Sequence, residues 1–325
     1  MKLMISALLG SLLATSTLAL ETPEDFFRAR TDRSLLQREV YDPFIIPVAP
    51  DPEVAARVAQ VDTQLLRATV LKLTSATDRR AGSSENQALT LWAHDQLKAL
   101  GYQTSLQCYR PDQCNVIAEK AGIISAGPDG PDAVVIAAHL DSVGRPNAGA
   151  DDNASGVAGL LEMARILAPL SAEKSVRFLV TNSEENGMVG AQYYLNSLAP
   201  AAIKRLKWVL VLDMIGFNSN GQLDLETDEK FRSEAEWLAG KAATYSSLRG
   251  RVSTPAWGSD HVPFLRKYVP TLLAIEDWDT HTPCYHQACD TEATVNYAYA
   301  AEIVKLSLAG LFEKAGTFGM VYVGR

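Results

Sequence analysis

Histidine and cysteine are scarce in this chain, five and four residues in 325. The four cysteines are spaced as Cys108 with Cys114 and Cys284 with Cys289, gaps that do not match the tight pairs of a four-cysteine zinc site. Cations are outnumbered, 30 Lys and Arg against 38 Asp and Glu, and the resulting net charge of −8 counts against nucleic acid or an anionic membrane surface as the partner. No apolar run after the first twenty residues is long enough to cross a bilayer, which argues against stable membrane association. There is no internal repeat and no low-complexity segment. What remains is a chain with 47% apolar residues. That is enough to bury a substantial core in one large α/β domain, although length alone would also allow two.

Residues 1–19 do not belong to that core. One cation, an apolar run and then Thr17-Leu-Ala19 form a small-x-small cleavage pattern, so the stretch reads as a secretory signal, against the rival of an uncleaved anchor. Export to the periplasm or beyond makes both cysteine pairs candidates for local disulfides in an oxidising compartment. Residues 20–52 read as an arm laid on the body, and 53–325 as the main domain. Pro52 to Lys72 and Ser84 to Leu100 read as two helices, the second closed by Gly101. His94, inside the second, has no carboxylate or cysteine pattern beside it and reads as structural.

The informative pattern is where the acids fall. Ala133-Val-Val-Ile-Ala-Ala138 has the length and β-branched content of a buried strand and delivers His139 and Asp141 at its carboxyl end, the end at which open α/β sheets bind ligands. Asp151 and Asp152 then precede a helical pattern running from Asn153 to Leu167. Ser175–Thr181 is a second such strand, ending in Asn182-Ser-Glu184-Glu185. Lys207–Leu212 is a third, ending in Asp213. Thr271–Ile275 is the fourth and leads to His281 and His286, while Gly216–Lys230 reads as a polar surface excursion. Phe231–Tyr245 reads as helical, and a last helix spans Glu292–Lys314.

Adjacent glutamates in a loop are usually solvated charge. At a strand end, however, successive side chains point opposite ways, so one can bind a metal while its neighbour approaches the attacking water. Two histidines and several carboxylates without thiolates suit a pair of zinc-type ions rather than calcium. If Asp151, Glu185 and Asp213 are ligands, three negative charges and a bridging hydroxide balance two divalent ions. The remaining glutamate is left as a base.

The blocks His139-Leu-Asp141, Gly149–Gly156, Ser183-Glu-Glu-Asn-Gly187, Leu212-Asp-Met214 and Tyr285–Thr291, with Ser259-Asp-His261 upstream, resemble the co-catalytic dizinc aminopeptidases of the bacterial leucyl aminopeptidase type, metallopeptidase family 28. No single block is specific, but all occur in order between about residues 85 and 312. The resemblance implies a single α/β domain with a mostly parallel mixed central sheet flanked by helices on both faces. It also implies two zinc ions bridged by Asp151, one completed by His139 and Asp213, the other by Glu185 and His286, with Glu184 as general base. It further implies a cis Asp151–Asp152 peptide, Asp141 orienting His139, and Asp290 acting in the same way near His286.

One departure touches the oxyanion. Relatives often carry a tyrosine near the Ser-Asp motif, whereas Ala256-Trp-Gly258 stands here, which leaves His261 as the candidate stabiliser against a bland loop-packing role. His281 lacks the His-x-x-x-Asp-Thr context of His286 and is the rival ligand. Met214, Phe217, Trp257, Trp278 and Tyr285 suggest an apolar pocket for the terminal side chain, against the plain reading of core. The expected activity is removal of the first residue from peptides with a free, preferably hydrophobic, N-terminus. Two alternatives stand beside it. A single-zinc glutaminyl cyclase is suggested by residues 260–273 and opposed by the full two-metal set and by Tyr285, where such cyclases tend to carry tryptophan. A catalytically inactive binding relative is opposed by the absence of any missing ligand.

Overall fold

The computed structural model describes residues 38–320, apart from 47, 125, 126, 128, 129, 145 and 147. The expected signal at 1–19 and the arm up to residue 37 lie outside the described residues. The strands are β1 (Glu39–Tyr41), β2 (Gln103–Arg110), β3 (Gln113–Lys120), β4 (Ala133–His139), β5 (Leu170–Ala172), β6 (Ser175–Thr181), β7 (Leu206–Leu212), β8 (Gln222–Glu226), β9 (Arg249–Thr254), β10 (Thr271–Glu276) and β11 (Thr317–Met320). The helices are α1 (Pro52–Val58), α2 (Thr63–Thr74), α3 (Ser84–Ala99), α4 (Gly156–Leu167), α5 (Val189–Ser197), α6 (Pro200–Lys204), α7 (Arg232–Tyr245), α8 (His261–Arg266) and α9 (Tyr297–Ala315).

Among the described residues nine strands form one sheet in the order β1-β9-β8-β10-β7-β4-β6-β3-β2. The centre, β10-β7-β4-β6, is parallel, and the flanks are largely antiparallel, so the sheet is mixed. β4 is buried at every position. Val134, Ile136 and Ala138 enter one core cluster, together with residues of α2, α3, α4 and α9, whereas Ala133, Val135 and Ala137 enter another with Tyr194, Leu195 and Phe264. Helices therefore cover both faces, and covering both faces is what makes the strand an unbroken apolar run. Truncating Ile136 to alanine would cost roughly 2–5 kcal/mol.

Because the central strands run the same way, their carboxyl ends share one edge. His139 closes β4, Asp213 follows β7, and Ser183 to Glu185 follow β6. The edge hairpin β2/β3 places Cys108 opposite Cys114, and these two form one disulfide; Cys284 and Cys289 form the other.

Several elements differ from expectation. The helix anticipated from Pro52 to Lys72 is two helices. Asp62 restarts the chain as an N-cap, its carboxylate accepting the Gln64 amide at 2.8 Å. The supposed surface excursion contains β8, in which Leu223, Asp224, Leu225 and Glu226 are all buried. Its acids obscured the strand, and the price of burying Asp224 is offset by ion pairs to Arg38 and Arg251. The last helix begins later than Glu292, after a single turn at Glu292–Thr294, with Asn296 capping α9.

Candidate metal centre

His139 is fully buried at the end of β4, and its Nε2 lies 3.3 Å from Asp152 Oδ1 and 3.3 Å from Asp213 Oδ1. His286 Nε2 lies 3.1 Å from Asp152 Oδ2 and 3.2 Å from Glu185 Oε2. Among the described residues two groups of possible ligands follow, His139 with Asp152 and Asp213, and Asp152 with Glu185 and His286, the ligand atoms of each lying within 4.8 Å of one another. Asp152 is common to both and offers one oxygen to each side.

The shared carboxylate is therefore Asp152, not the expected Asp151. The backbone decides between them. Ala150–Ser155 is an irregular turn with a cis Asp152–Asn153 peptide, one residue later than the expected cis Asp151–Asp152 bond. Asp151 turns the other way: its Oδ1 accepts the amide of Gly216 at 2.7 Å and the hydroxyl of Ser155 at 3.2 Å, and its carboxylate meets Glu276. Asn153 fixes the turn. Its amide donates to Leu212 carbonyl at 2.9 Å, and its oxygen accepts from Gly156 and Met214. Any side chain at Gly156 would collide with that oxygen, since a Cβ there would stand 2.2 Å from it.

Neighbouring groups hold these side chains. Asp141 carbonyl accepts from His139 Nδ1 at 3.2 Å, which leaves Nε2 facing the acids. The Asp141 carboxylate also accepts the amides of Glu184 and Glu185, at 3.1 and 3.2 Å, tying the β6 loop to the β4 loop. Asp290 does not reach His286 as expected. It accepts the amides of Asp151 at 2.8 Å and Asp152 at 3.2 Å, and so supports the backbone that carries the shared carboxylate. Glu184 is buried beside Glu185.

The electrostatics are those of a crowded acidic wall. Burial works against the imidazolium of His139, yet Asp213, with Asp141 and Asp152, outweighs it and raises this histidine well above its ordinary range. Burial likewise opposes charge on His286, but Asp152 and Glu185 push it up to about 10. Burial would also raise Asp152, but the two imidazoles hold it below the usual carboxylate range. Glu185 rises to about 7, through burial first and Asp152 second. Without a metal these shifts favour a proton between imidazole and carboxylate, where a divalent cation would also fit. A buried Oε1 of Glu185 has no hydrogen-bond partner among the described residues, as a metal donor would. The imidazole and carboxylate donors fit zinc-type ions.

Beside these groups a cleft is lined by Met214, Leu273 and Ile275 together with Trp257, Trp278 and Tyr285. Phe217, expected there, is absent from its walls. Glu226, which sequence reasoning did not single out, also lines it. His261, the expected oxyanion stabiliser, is fully buried, does not itself line the cleft, and meets the cleft-lining Glu226 at Oε1, 3.2 Å away. His281 stacks on Trp278 at 4.3 Å, its Nδ1 donating to the Trp278 carbonyl, and takes no part in either ligand group. Ser259, Arg79 and Glu276 complete what the sequence left unseen. Ser259 sat in a quoted motif and Glu276 directly follows the apolar run Thr271–Ile275, but Arg79 carried no local signal.

The sequence profile described as Peptidase family M28 matches residues 115–310. Leupeptin-inactivating enzyme 1 of Streptomyces exfoliatus is 28% identical over 279 residues, which are 78% of this chain and 61% of that protein. Aminopeptidase YwaD of Bacillus subtilis is 33% identical over 165 residues, 47% of this chain and 36% of that one. The chain thus spans between about a third and three fifths of these two relatives. Among solved structures, the LapA aminopeptidase of Legionella pneumophila superposes with a TM-score of 0.73 at 22% identity, covering 87% of this chain and 78% of that one. A glutaminyl cyclase of Porphyromonas gingivalis does so with 0.63 at 20% identity, covering 78% and 99%. At these identities the superpositions speak for the fold.

Proposed function

The chain belongs to peptidase family M28, and on that premise we propose that it is an exported, zinc-dependent aminopeptidase that removes the first residue of peptides with a free N-terminus. The observation that carries this reading is the placement of Asp152, with one oxygen toward His139 and the other toward His286. That arrangement supports two ions rather than one. His139, Asp152 and Asp213 would hold the first, and Asp152, Glu185 and His286 the second. When bound, such ions supply Lewis acidity toward the scissile carbonyl and make water a better nucleophile at neutral pH.

The chain's own groups do the rest. Glu184 takes the proton of the attacking water and passes it to the leaving amine. Asp141 holds the amides of Glu184 and Glu185, so base and ligand keep a fixed relation. The acidic wall attracts the ammonium of the substrate terminus. The cleft of Met214, Leu273, Ile275 and the three aromatic rings receives the terminal side chain and favours an apolar one.

A glutaminyl cyclase is the second reading, favoured by the shared fold of the Porphyromonas gingivalis enzyme. One experiment separates the two: zinc-loaded protein is assayed on leucyl and glutaminyl peptides, each with a free and an acetylated terminus, and its zinc is counted. An aminopeptidase binds about two zinc ions and frees leucine from the unblocked peptide alone. Ring closure of the glutaminyl peptide with a single zinc, or rapid internal cleavage of blocked peptides, would overturn the proposal.

A further inference from the structure

Arg79 is the largest buried cation among the described residues, 1% exposed, and none of its hydrogen bonds goes to a carboxylate. Its guanidinium instead donates to three backbone carbonyls: Nε to Leu140 at 3.0 Å, Nη1 to Ala148 at 2.9 Å and Nη2 to Gly149 at 2.9 Å. Leu140 stands between His139 and Asp141. Ala148 and Gly149 lead into the turn that carries Asp152. The fork therefore joins the two stretches of backbone that present His139 and the shared carboxylate. Around it the acids that act on its charge most strongly are Asp290, Asp152, Asp141 and Glu185.

Space confirms how closely the parts are fitted. Gly149 has a φ of +63°, and a Cβ there would stand 2.8 Å from Arg79 Nη2 and 2.5 Å from the Asp152 carbonyl. The Arg79 carbonyl in turn accepts from the Asn86 side-chain amide at 3.0 Å, and Asn86 is bonded to Asn182, which begins the loop to Glu184 and Glu185. A guanidinium is suited to this place. Its planar fork offers a separate donor nitrogen to each of the three carbonyls, and it keeps its charge when buried.

We propose that Arg79 is a positioning residue of the metal centre. It clamps the His139 and Asp152 backbones in register, and its buried charge offsets the carboxylates gathered there. The inference rests on the metal-binding reading above, but the two can fail separately.

The test compares full-length wild type with R79K and R79M. The substitution to lysine keeps the charge and loses the fork; the substitution to methionine loses both. Zinc affinity is measured by competition with a chromophoric chelator, alongside the thermal midpoint of each metal-free protein and kcat and KM at saturating zinc. A clamp predicts that R79K loses zinc affinity by roughly 10–100-fold, R79M by at least as much, and that kcat falls more than KM rises. A residue that merely stabilises the fold would lower the thermal midpoint and leave zinc affinity within about twofold of wild type, which would overturn the proposal. Should R79M fail to fold, R79K alone decides. Wild-type protein that binds no zinc would refute the metal reading itself, and Arg79 with it.

Discussion

The hydroxyl of Ser259 donates to Asp213 Oδ2 at 2.6 Å while Oδ1 of the same carboxylate faces His139. One oxygen is thus held and the other presented. Ser259→Ala should weaken only the group built on His139, Asp152 and Asp213, by roughly 10-fold in affinity. A stepwise zinc titration checks this: one step should shift and the other stay. Two steps that shift together, or neither, would show that the hydroxyl does not orient a ligand.

The two aspartates of the turn make opposite predictions. Asp152→Asn removes a charged oxygen from both ligand groups and should abolish tight binding of both ions. Asp151→Asn keeps an acceptor for the Gly216 amide and relieves the meeting of Asp151 with Glu276, whose carboxyl burial and Asp151 hold well above the ordinary range. It should keep both ions and most activity. Loss of zinc from the Asp151 variant with retention by the Asp152 variant would restore the assignment that the sequence first suggested.

Glu184 and Glu185 differ in the same way. Glu184→Gln should retain its metals and lose roughly 10²–10⁴-fold in kcat, the worth of a positioned acid-base group. Glu185→Gln should lose zinc affinity and regain part of its rate in excess zinc. Matched measurements of metal content and rate settle the roles, and full activity in both variants would remove the glutamates from the mechanism.

The raised pKa values predict the pH dependence of the metal-free protein. Burial opposes the charge of His286, but Asp152 and Glu185 lift it from 6.5 to about 10. A folded value above the unfolded one gives stabilisation that is complete below 6.5 and lost as pH rises toward about 10. Glu185, raised by burial from 4.5 to about 7, acts with the same sign over its own lower window. The thermal midpoint of chelator-treated protein should therefore fall between about pH 6.5 and 10, and zinc, which replaces the protons, should flatten the decline. A midpoint of the metal-free form that climbs over this range would contradict the pairing.

Much of this was legible beforehand. Ala133–Ala138 and Thr271–Ile275 are apolar almost throughout, and Ser175–Thr181 interrupts its apolar run only with Arg177, so their strands could be read from composition alone. The acids then had to fall at one edge. What could not be read was direction within a turn. In Asp151-Asp152-Asn153 the chemistry of the first two residues is identical, and only the path of the backbone decides which one faces the histidines. Arg79 was invisible for a related reason, because its partners are carbonyls, which leave no trace in the identity of the residues that bear them. β8 was missed because its two buried acids find their partners at a distance in sequence, Asp224 at Arg38 and Arg251 and Glu226 at His261.

His286 has a left-handed backbone, φ 56°, and sits inside the short ring closed by Cys284 and Cys289. A non-glycine residue adopts that conformation at a cost, and the covalent closure limits the alternatives to which the loop could relax. With His286 as the ligand proposed above, the aptitude of this loop for a metal would be written partly in the redox state of its surroundings. Where thiols are kept reduced, the ring opens and the histidine is released from its constraint, so the same polypeptide would be a poorer zinc protein inside a reducing compartment than outside it.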